Sequence, residues 1–238
     1  MSNNYFHFKQ FTIHHDRCAM KVGTDGVLLG AWAPLPHEGT VLDIGTGSAL
    51  IALMIAQREP LLHVTGIDID EDAVLQAREN VEASPFADRV DVRLCSLQHF
   101  SSDEHNAAHF DAIVCNPPFF VDSLLPPDLQ RSQARHTTSL PFDELAATAG
   151  RLLRPGGRFS VILPTDSLDD FRRLCFAHEL YISVCCYVHT TSRKPPKRVI
   201  ACFLKGTPEE VSVTDLILME NGQRSAAYSH LTRDFYLQ

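Results

Sequence analysis

The stretch Phe110-Asp111-Ala112-Ile113-Val114-Cys115-Asn116-Pro117-Pro118-Phe119-Phe120 contains a short apolar run that stops at a polar residue and two prolines. Such a run predicts a buried strand of a parallel sheet. The strand would carry Asn116 to its carboxyl end, where open parallel sheets bind ligands. Because prolines hold the backbone extended, we expect the Pro117 carbonyl to be left to accept a hydrogen bond from another group. With the ring of Phe119, these acceptors suit a flat group with an exocyclic amine. The alternative is a rigid turn under hydrophobic cover.

Strand and helix patterns alternate on both sides of this stretch. The predicted strands cover residues 41–44, 63–67, 90–94, 112–115, 158–163, 181–188 and 199–204, and the predicted helices cover 49–57, 71–84, 142–153 and 167–179. The last two strands form a hairpin. The pattern predicts an α/β fold with a doubly wound, mostly parallel sheet, one antiparallel strand and helices on both faces. In the tail, residues 216–219 and the Asn221-Gly222 turn predict an extra hairpin.

The N-terminal stretch from Tyr5 to Trp32 mixes aromatic and basic residues and ends in an apolar segment. Thr24 or Asp25 is expected to cap a helix that covers this segment, and contact with a ligand is the alternative for Asp25. A chain of 238 residues can bury one large core. We therefore expect an N-terminal arm and helix, residues 1–36, that pack on one domain formed by residues 37–238.

A two-glycine loop follows the first predicted strand of that domain, in Asp43-Ile44-Gly45-Thr46-Gly47. The glycines allow a tight turn and a close approach of the backbone to a ligand. Their position between a strand and a helix is typical of nucleotide-binding loops. Asp68, at the end of the second strand, is expected to accept both ribose hydroxyls of an adenosine cofactor. Asp70 is expected to cap the following helix, and the reverse assignment of the two acids is the alternative.

Charge is distributed unevenly along the chain. The formal net charge of −8 argues against a nucleic-acid partner, because phosphate contacts need cations. However, basic residues concentrate in two segments that are placed to flank the predicted site. These residues are Arg131, Arg135 and His136 after the Asn-Pro-Pro-Phe segment, and Arg193, Lys194, Lys197 and Arg198 in the turn between the hairpin strands. The alternative for the second segment is a solvated loop.

Cysteine and histidine spacing argues against disulfide and metal sites. Seven cysteines, an odd number without a Cys-x-x-Cys pair, fit reduced thiols. Cys185 and Cys186 are expected to point to opposite faces of one strand. His105 and His109 have helical ligand spacing but lie in a polar stretch, so no metal site is expected. We also expect a cytoplasmic protein with no membrane partner, because the sequence shows no membrane-spanning apolar run and no signal-peptide pattern.

Three elements follow one another in the order Asp43-Ile44-Gly45-Thr46-Gly47, Asp68, Asn116-Pro117-Pro118-Phe119. Together they resemble the S-adenosylmethionine-dependent amino-methyltransferases of class I, which have a Rossmann-like sheet of seven strands. Further segments resemble one branch of that class, the bacterial tRNA1(Val) (adenine-N6)-methyltransferases. These segments are Phe8-Lys9-Gln10-Phe11, Met20 to Trp32, Ala134-Arg135-His136 and Lys197-Arg198-Val199. The resemblance covers essentially the whole chain.

The resemblance implies S-adenosylmethionine as cofactor and N6-methylation of an adenosine in tRNA, at position 37 next to the anticodon. It implies that Asn116 and Pro117 accept the two amine hydrogens and that Phe119 stacks on the base. The implied cofactor-binding residues are Asp43, Gly45, Thr46, Gly47, Asp68, Ile69, Ser96 and Asn116. Ser96 departs from the pattern, since these enzymes often have an acid there to bind the adenine amine. The implied RNA-binding residues are Lys21, Arg135, Arg193, Lys194, Lys197 and Arg198. We expect a monomer or weak dimer.

The sequence is also compatible with other functions. Enzymes that methylate adenine N6 or guanine N2 of rRNA, and those that methylate N5 of a protein glutamine, also use Asn-Pro-Pro with an aromatic residue. A catalytically silent RNA-binding module is a non-enzyme alternative. The intact glycines, Asp68 and Asn116 count against it. A nicotinamide-dependent oxidoreductase is disfavoured because the loop lacks the third glycine of the dinucleotide pattern.

Overall fold

The computed structural model describes residues 3–118 and 140–237, which form a central sheet flanked by helices. The strands, numbered in chain order, are β1 Tyr5–His7, β2 Thr12–His14, β3 Glu38–Ile44, β4 Leu61–Asp68, β5 Val90–Leu94, β6 Phe110–Cys115, β7 Leu153–Pro164, β8 Leu180–His189, β9 Arg198–Lys205, β10 Ser212–Ile217, β11 Met219–Glu220 and β12 Gln223–Arg224. The helices are α1 Thr24–Trp32, α2 Leu50–Arg58, α3 Glu71–Glu82, α4 Leu97–Ser102, α5 Phe142–Leu152, α6 Leu168–Phe176 and α7 Ala226–Thr232.

The central sheet is doubly wound and has the strand order β10-β8-β9-β7-β6-β3-β4-β5. Strand β9 is antiparallel to both of its neighbours, and all other pairs in the sheet are parallel. From β3 the chain winds outward to β4 and β5, and from β6 it winds the other way to β7. The switch point, where such sheets bind ligands, therefore lies between the carboxyl ends of β3 and β6. The predicted α/β architecture is confirmed.

The sheet has eight strands, one more than the seven predicted. The additional strand is β10, which pairs in parallel with β8 at the edge of the sheet. The sequence did not reveal it because four of its six residues are exposed and only Leu216 is buried, so it lacks the apolar pattern of a core strand. The predicted first strand of the tail hairpin, residues 216–219, was placed too early, because Leu216 and Ile217 belong to β10 and the hairpin is formed by β11 and β12. At its turn, Asn221 and Gly222 both have positive φ, as a tight hairpin turn requires.

Helices on the two faces of the sheet bury two apolar cores. One core contains residues of α1, α2 and α3, and the other contains residues of α4, α5 and α6. Within one strand, neighbouring residues alternate between the cores. Val41 belongs to the first core and Leu42 to the second. Cys186 and Cys185 divide in the same way, which confirms the prediction for this pair. All seven cysteines are free thiols.

The N-terminal arm is part of the first core. Strands β1 and β2 form a small antiparallel sheet, and Phe8, Phe11 and Ile13 are buried with the residues of α1 and α2. Phe8 also forms a β-bridge with Tyr236, near the other end of the chain. Asn80 of α3 bonds both the N–H and the carbonyl of His14. The arm therefore packs on α1, α2 and α3 and on the segment near Tyr236.

Helix α1 begins differently from the prediction. Its N-cap residue is Gly23, and no side chain caps the helix. The Asp25 carboxylate instead accepts a hydrogen bond from Nε of Arg198 at 2.9 Å.

Within residues 3–118 and 140–237, none of the helices combines the length and the apolar character that crossing a bilayer requires.

Candidate active site

The loop after β3 is an open cradle. Gly45 and Gly47 have φ values of +68° and +54°, a region that L side chains rarely adopt. The N–H groups of Gly45 and Thr46 both donate to the carbonyl of Ile67, which ties the loop to β4. A Cβ built on either glycine would meet no atom within 4 Å, so the backbone of the loop faces open space. A ligand can therefore approach this backbone closely.

Asp43 supports the loop from behind. It is fully buried, and its Oδ2 accepts a hydrogen bond from the Thr46 hydroxyl at 2.7 Å. Its Oδ1 is buried without a hydrogen-bond partner of normal geometry. Burial raises the pKa of Asp43 to about 7, against a smaller lowering by the Thr46 hydroxyl. Gly66 on β4 leaves room for this pair, because a Cβ there would lie 2.7 Å from the Thr46 hydroxyl oxygen.

Two acids at the end of β4 have different tasks. Asp68 accepts the N–H of Gly47 at 2.9 Å on one oxygen and the N–H of Asp70 at 3.0 Å on the other. Each oxygen still has a lone pair for a ligand hydroxyl. Asp70 caps α3 by accepting the N–H groups of Asp72 and Ala73, which confirms its predicted role. Ile69, between the two acids, is 53% exposed although it is apolar.

Ser96 caps a short helix that the sequence did not predict. Its hydroxyl oxygen accepts the N–H of His99 at the start of α4. Serine is a favoured N-cap residue, so this bond gives Ser96 a structural role of its own. Ser96 nevertheless lines the same cleft as the glycine loop.

Asn116 stands at the carboxyl end of β6, as predicted. Its side-chain oxygen Oδ1 is buried and has no hydrogen-bond partner among residues 3–118 and 140–237. Pro117 is buried next to it, and the described residues provide no donor to its carbonyl. Gly26 of α1 faces this side chain, because a Cβ there would lie 3.9 Å from Asn116 Nδ2. Phe119, the predicted stacking residue, lies outside the described residues.

A cleft of about 790 Å³ joins these elements. Its lining includes the predicted residues Lys21, Gly45, Thr46, Gly47, Asp68, Ile69, Ser96, Asn116 and Pro117. Asp43 is not among them, so it can act on a ligand only through Thr46. The sequence interpretation missed part of the wall, which residues Cys18 to Met20 and Gly23 to Gly26 provide. Burial raises the pKa of the Cys18 thiol to about 11, so this thiol is not a nucleophile at neutral pH.

The basic turn, residues 190–197, lies beside this cleft. Arg193, Lys194 and Lys197 are exposed on it, as predicted. The turn is held in place by His189, whose ring nitrogen bonds the carbonyl of Lys194, and by Thr165, whose hydroxyl donates to the carbonyl of Pro196. Arg198, directly after the turn, forms the ion pair with Asp25 at the cleft wall. Of the two remaining predicted RNA-binding residues, Lys21 lines the cleft and Arg135 lies outside the described residues, as do Arg131 and His136.

Among the described residues, side chains that could bind a metal ion together do not form a cluster. In the part of the chain that the structure describes, no three His, Cys, Asp or Glu residues could together hold a metal ion. His105, one of the two histidines with ligand spacing, contacts Asp103 instead.

The doubly wound sheet, with its antiparallel strand β9 and the cleft at its switch point, has the fold of the Rossmann-like class I methyltransferases. Solved structures share this fold. One, described as a predicted O-methyltransferase from Agrobacterium tumefaciens, superposes with a TM-score of 0.70 at 19% identity, over 89% of this chain and 96% of that one. Another, geranyl diphosphate C-methyltransferase from Streptomyces coelicolor in complex with S-adenosyl-L-homocysteine, has a TM-score of 0.50 at 13% identity, over 75% of this chain and 73% of that one.

Comparison of sequences identifies the family more specifically than comparison of folds. The family model of the methyltransferase small domain matches residues 21–168. A tRNA1(Val) (adenine(37)-N6)-methyltransferase from Phocaeicola vulgatus is 49% identical, over 100% of this chain and 99% of that protein. A protein of the same name from Pectobacterium carotovorum is 41% identical, over 98% of this chain and 93% of that protein. The chain belongs to the tRNA1(Val) (adenine(37)-N6)-methyltransferase family, as its sequence motifs predicted.

Proposed function

We propose that this enzyme transfers a methyl group from S-adenosylmethionine to N6 of an adenosine in tRNA, at position 37 next to the anticodon of tRNA1(Val). One observation carries the proposal. The side-chain oxygen of Asn116 is buried, and the part of the chain that the structure describes offers it no hydrogen-bond donor. A buried acceptor without a donor costs about 1 to 3 kcal/mol. A ligand amine is therefore the expected partner, and the relatives of this chain are named for methylation of such an amine.

The residues at the end of β3 and β4 fit the cofactor. The open cradle at Gly45 and Gly47 admits its amino-acid portion close to the backbone. Asp68 would accept the ribose hydroxyls on the lone pairs that Gly47 and Asp70 leave, and Ile69 would cover one face of the adenine. Ser96 keeps its hydroxyl hydrogen for a ring nitrogen of the adenine, since its oxygen serves the cap of α4. When bound, S-adenosylmethionine supplies a methyl group that is already activated on a sulfonium centre.

Asn116 and Pro117 act on the target amine. The lone pair of an adenine amine is delocalised into the ring, so the amine is a poor nucleophile. Two acceptors, the Asn116 side-chain oxygen and the Pro117 carbonyl, bind its two hydrogens and favour the pyramidal, partly positive nitrogen of the transition state. The same contacts hold the nitrogen in line with the methyl group. The charged nitrogen then loses its proton to solvent, so a strong general base is not required. Phe119 would stack on the base and set its plane.

The basic turn is suited to the RNA backbone. Its exposed cations, Arg193, Lys194 and Lys197, lie on a segment whose backbone is fixed by hydrogen bonds, so little backbone entropy is lost when RNA binds. Lys21 on the cleft wall and Arg135 complete the proposed RNA contacts. The guanidinium of Arg198 forms an ion pair with Asp25, so Arg198 has a different role from the other cations. A base in an anticodon loop is already partly unstacked, which eases its entry into the cleft. A cytoplasmic location and a monomeric or weakly dimeric state belong to the same proposal.

The direct test is methyl transfer from labelled S-adenosylmethionine to tRNA from cells that lack this protein, followed by nucleoside analysis. We expect N6-methyladenosine in a valine tRNA. Asn116→Ala should lower the turnover rate by at least about 100-fold. The same variant should bind S-adenosylhomocysteine within roughly twofold of wild type, since the orphaned oxygen is assigned to the target amine.

Two outcomes would contradict the proposal. Near wild-type turnover by Asn116→Ala would remove the catalytic assignment. Unlabelled tRNA with intact cofactor binding would reject the substrate, and labelling of rRNA or of a release factor in the same assay would identify the alternative.

A further inference from the structure

The ion pair between Asp25 and Arg198 connects the cleft wall, to which Asp25 belongs, with the start of β9. Nε of Arg198 donates to Oδ2 of Asp25 at 2.9 Å. The two residues are 173 positions apart in sequence, one in the first turn of α1 and the other at the start of β9. Their side chains are only 29% and 34% exposed, so the pair is shielded from solvent more than a surface ion pair is.

The first turn of α1 has no side-chain cap to hold it in place. Its N-cap residue is Gly23, which has no side chain that could accept a hydrogen bond from the helix. Yet residues Gly23 to Gly26 line the cleft, and Gly26 lies against Asn116 and Leu50. A Cβ on Gly26 would come within 3.1 Å of Leu50 and 3.9 Å of Asn116, so the turn and the Asn116 amide are close neighbours. A small shift of this turn would reach Asn116 directly.

The Arg198 guanidinium is turned toward the protein. Besides the bond to Asp25, its Nη1 donates to the carbonyl of Lys197 at 3.1 Å. The backbone beside it is also fixed, because the N–H of Lys197 donates to Val188 and that of Thr165 donates to Lys197. Arg198 therefore stands on a rigid base and directs an oriented donor at the carboxylate of α1, which a lysine ammonium cannot reproduce.

We propose that Asp25 and Arg198 are a positioning pair for methyl transfer. The pair holds the first turn of α1 against Asn116, and Arg198 acts through Asp25 and not by neutralising an RNA phosphate. This inference deepens the proposed function and rests on it for the reaction that is measured. It also gives Arg198 a role different from that of the three cations of the basic turn, which are positively charged like Arg198 but do not pair with Asp25.

The test compares Asp25→Ala, Arg198→Lys, Arg198→Gln and the double variant Asp25→Ala/Arg198→Lys. We expect Asp25→Ala and Arg198→Lys each to lower kcat roughly tenfold with little change in KM for tRNA, because misplacement of the site affects the transition state. The double variant should be no slower than the slower single variant, since the two residues act as one unit. RNA affinity and its salt dependence should not change in Arg198→Gln. Each variant should bind S-adenosylhomocysteine severalfold more weakly, because the displaced turn lines the cofactor cleft.

A matched control is Arg154→Lys, which alters another arginine–aspartate pair, with Asp111 at 2.8 Å, outside the cleft lining. It should leave kcat and S-adenosylhomocysteine affinity unchanged. The proposal is overturned if Arg198→Lys retains wild-type kcat while Arg198→Gln lowers the salt slope of RNA binding by about one unit, as a phosphate contact would. Lower thermal stability in Asp25→Ala with unchanged kcat would also overturn it.

The binding measurement does not depend on the RNA. If wild type methylates no tRNA but both single variants weaken S-adenosylhomocysteine binding without additivity, the proposed function fails and the pair stands. If wild type is active and neither variant affects kcat or binding, the pair fails and the proposed function stands.

Discussion

Asp43 should make the stability of the fold depend on pH in an unusual direction. Most carboxylates stabilise a protein when they are charged, but Asp43 is fully buried and burial raises its pKa from 3.8 to about 7. Between about pH 4 and pH 7, the folded protein therefore holds a proton on Asp43 that the unfolded chain has released. By linkage, the contribution of Asp43 to stability falls as pH rises through this window and is level above it.

The size of the effect on stability follows from the shift in the pKa of Asp43. A rise of about 3 pKa units, at 1.36 kcal/mol per unit, amounts to about 4 kcal/mol of unfolding free energy. Asp43→Asn cannot titrate, and its side-chain oxygen can still accept the Thr46 hydroxyl that lies 2.7 Å from Oδ2. Relative to Asp43→Asn, the wild type should therefore lose about 4 kcal/mol of unfolding free energy between pH 4 and pH 8.

Urea unfolding of both proteins at half-unit pH steps, without cofactor, measures this difference and cancels the titration of all other groups. Thr46→Val provides a second variant, because loss of the hydroxyl donor should raise the pKa of Asp43 further and extend the slope to higher pH. A difference between wild type and Asp43→Asn that stays constant from pH 4 to pH 8 would refute the reasoning. It would mean that the fold accommodates Asp43 as a carboxylate.

Four further predictions concern the basic turn, the two acids Asp68 and Asp70, and Gly66 on β4. Replacing the three exposed cations of the basic turn with glutamine should reduce the salt slope of tRNA binding by about 2, and an unchanged slope would assign the turn to solvent. Asp70→Ala should cost about 1 kcal/mol in urea unfolding through loss of the α3 cap but leave S-adenosylhomocysteine affinity intact. Asp68→Ala should reduce that affinity at least roughly tenfold, and equal calorimetric affinities for the two variants would contradict the division of roles. Gly66→Ala should destabilise the protein by about 1 to 3 kcal/mol, because the new methyl would lie 2.7 Å from the Thr46 hydroxyl oxygen, and a wild-type melting temperature would exclude this clash.

Local patterns predicted most of the fold. The strand 90–94 was predicted with the bounds that β5 has, and the helix after Asp70 begins where its cap indicates. These elements follow from signals within a few residues, namely apolar alternation and side-chain capping. The glycine loop and Asn116 were found for the same reason, since each directly follows a buried strand that the sequence shows plainly.

Contacts between distant segments could not be predicted. Asp25 resembles a helix cap in sequence, and only the fold brings Arg198 to it. Gly66 has no local purpose in β4, and its need for glycine arises from Thr46 on the neighbouring loop. The edge strand β10 is recognised by its pairing with β8 and not by its own composition. In each case the missing information is a tertiary neighbour.

The contact between the N-terminal arm and the far end of the chain affects when the enzyme becomes complete during translation. The Lys9 ammonium donates to the carbonyl of Arg233, 224 residues later, and Phe8 bridges to Tyr236. At about 5 to 20 residues per second, a ribosome takes roughly 11 to 45 s to make the intervening chain. Throughout that interval Phe8 lacks its contact with Tyr236, and α1, which follows the arm, lacks its contact with α7. A nascent or truncated chain that lacks residues 226–237 should therefore be a client for chaperones, even though its glycine loop and Asn116 have already been made.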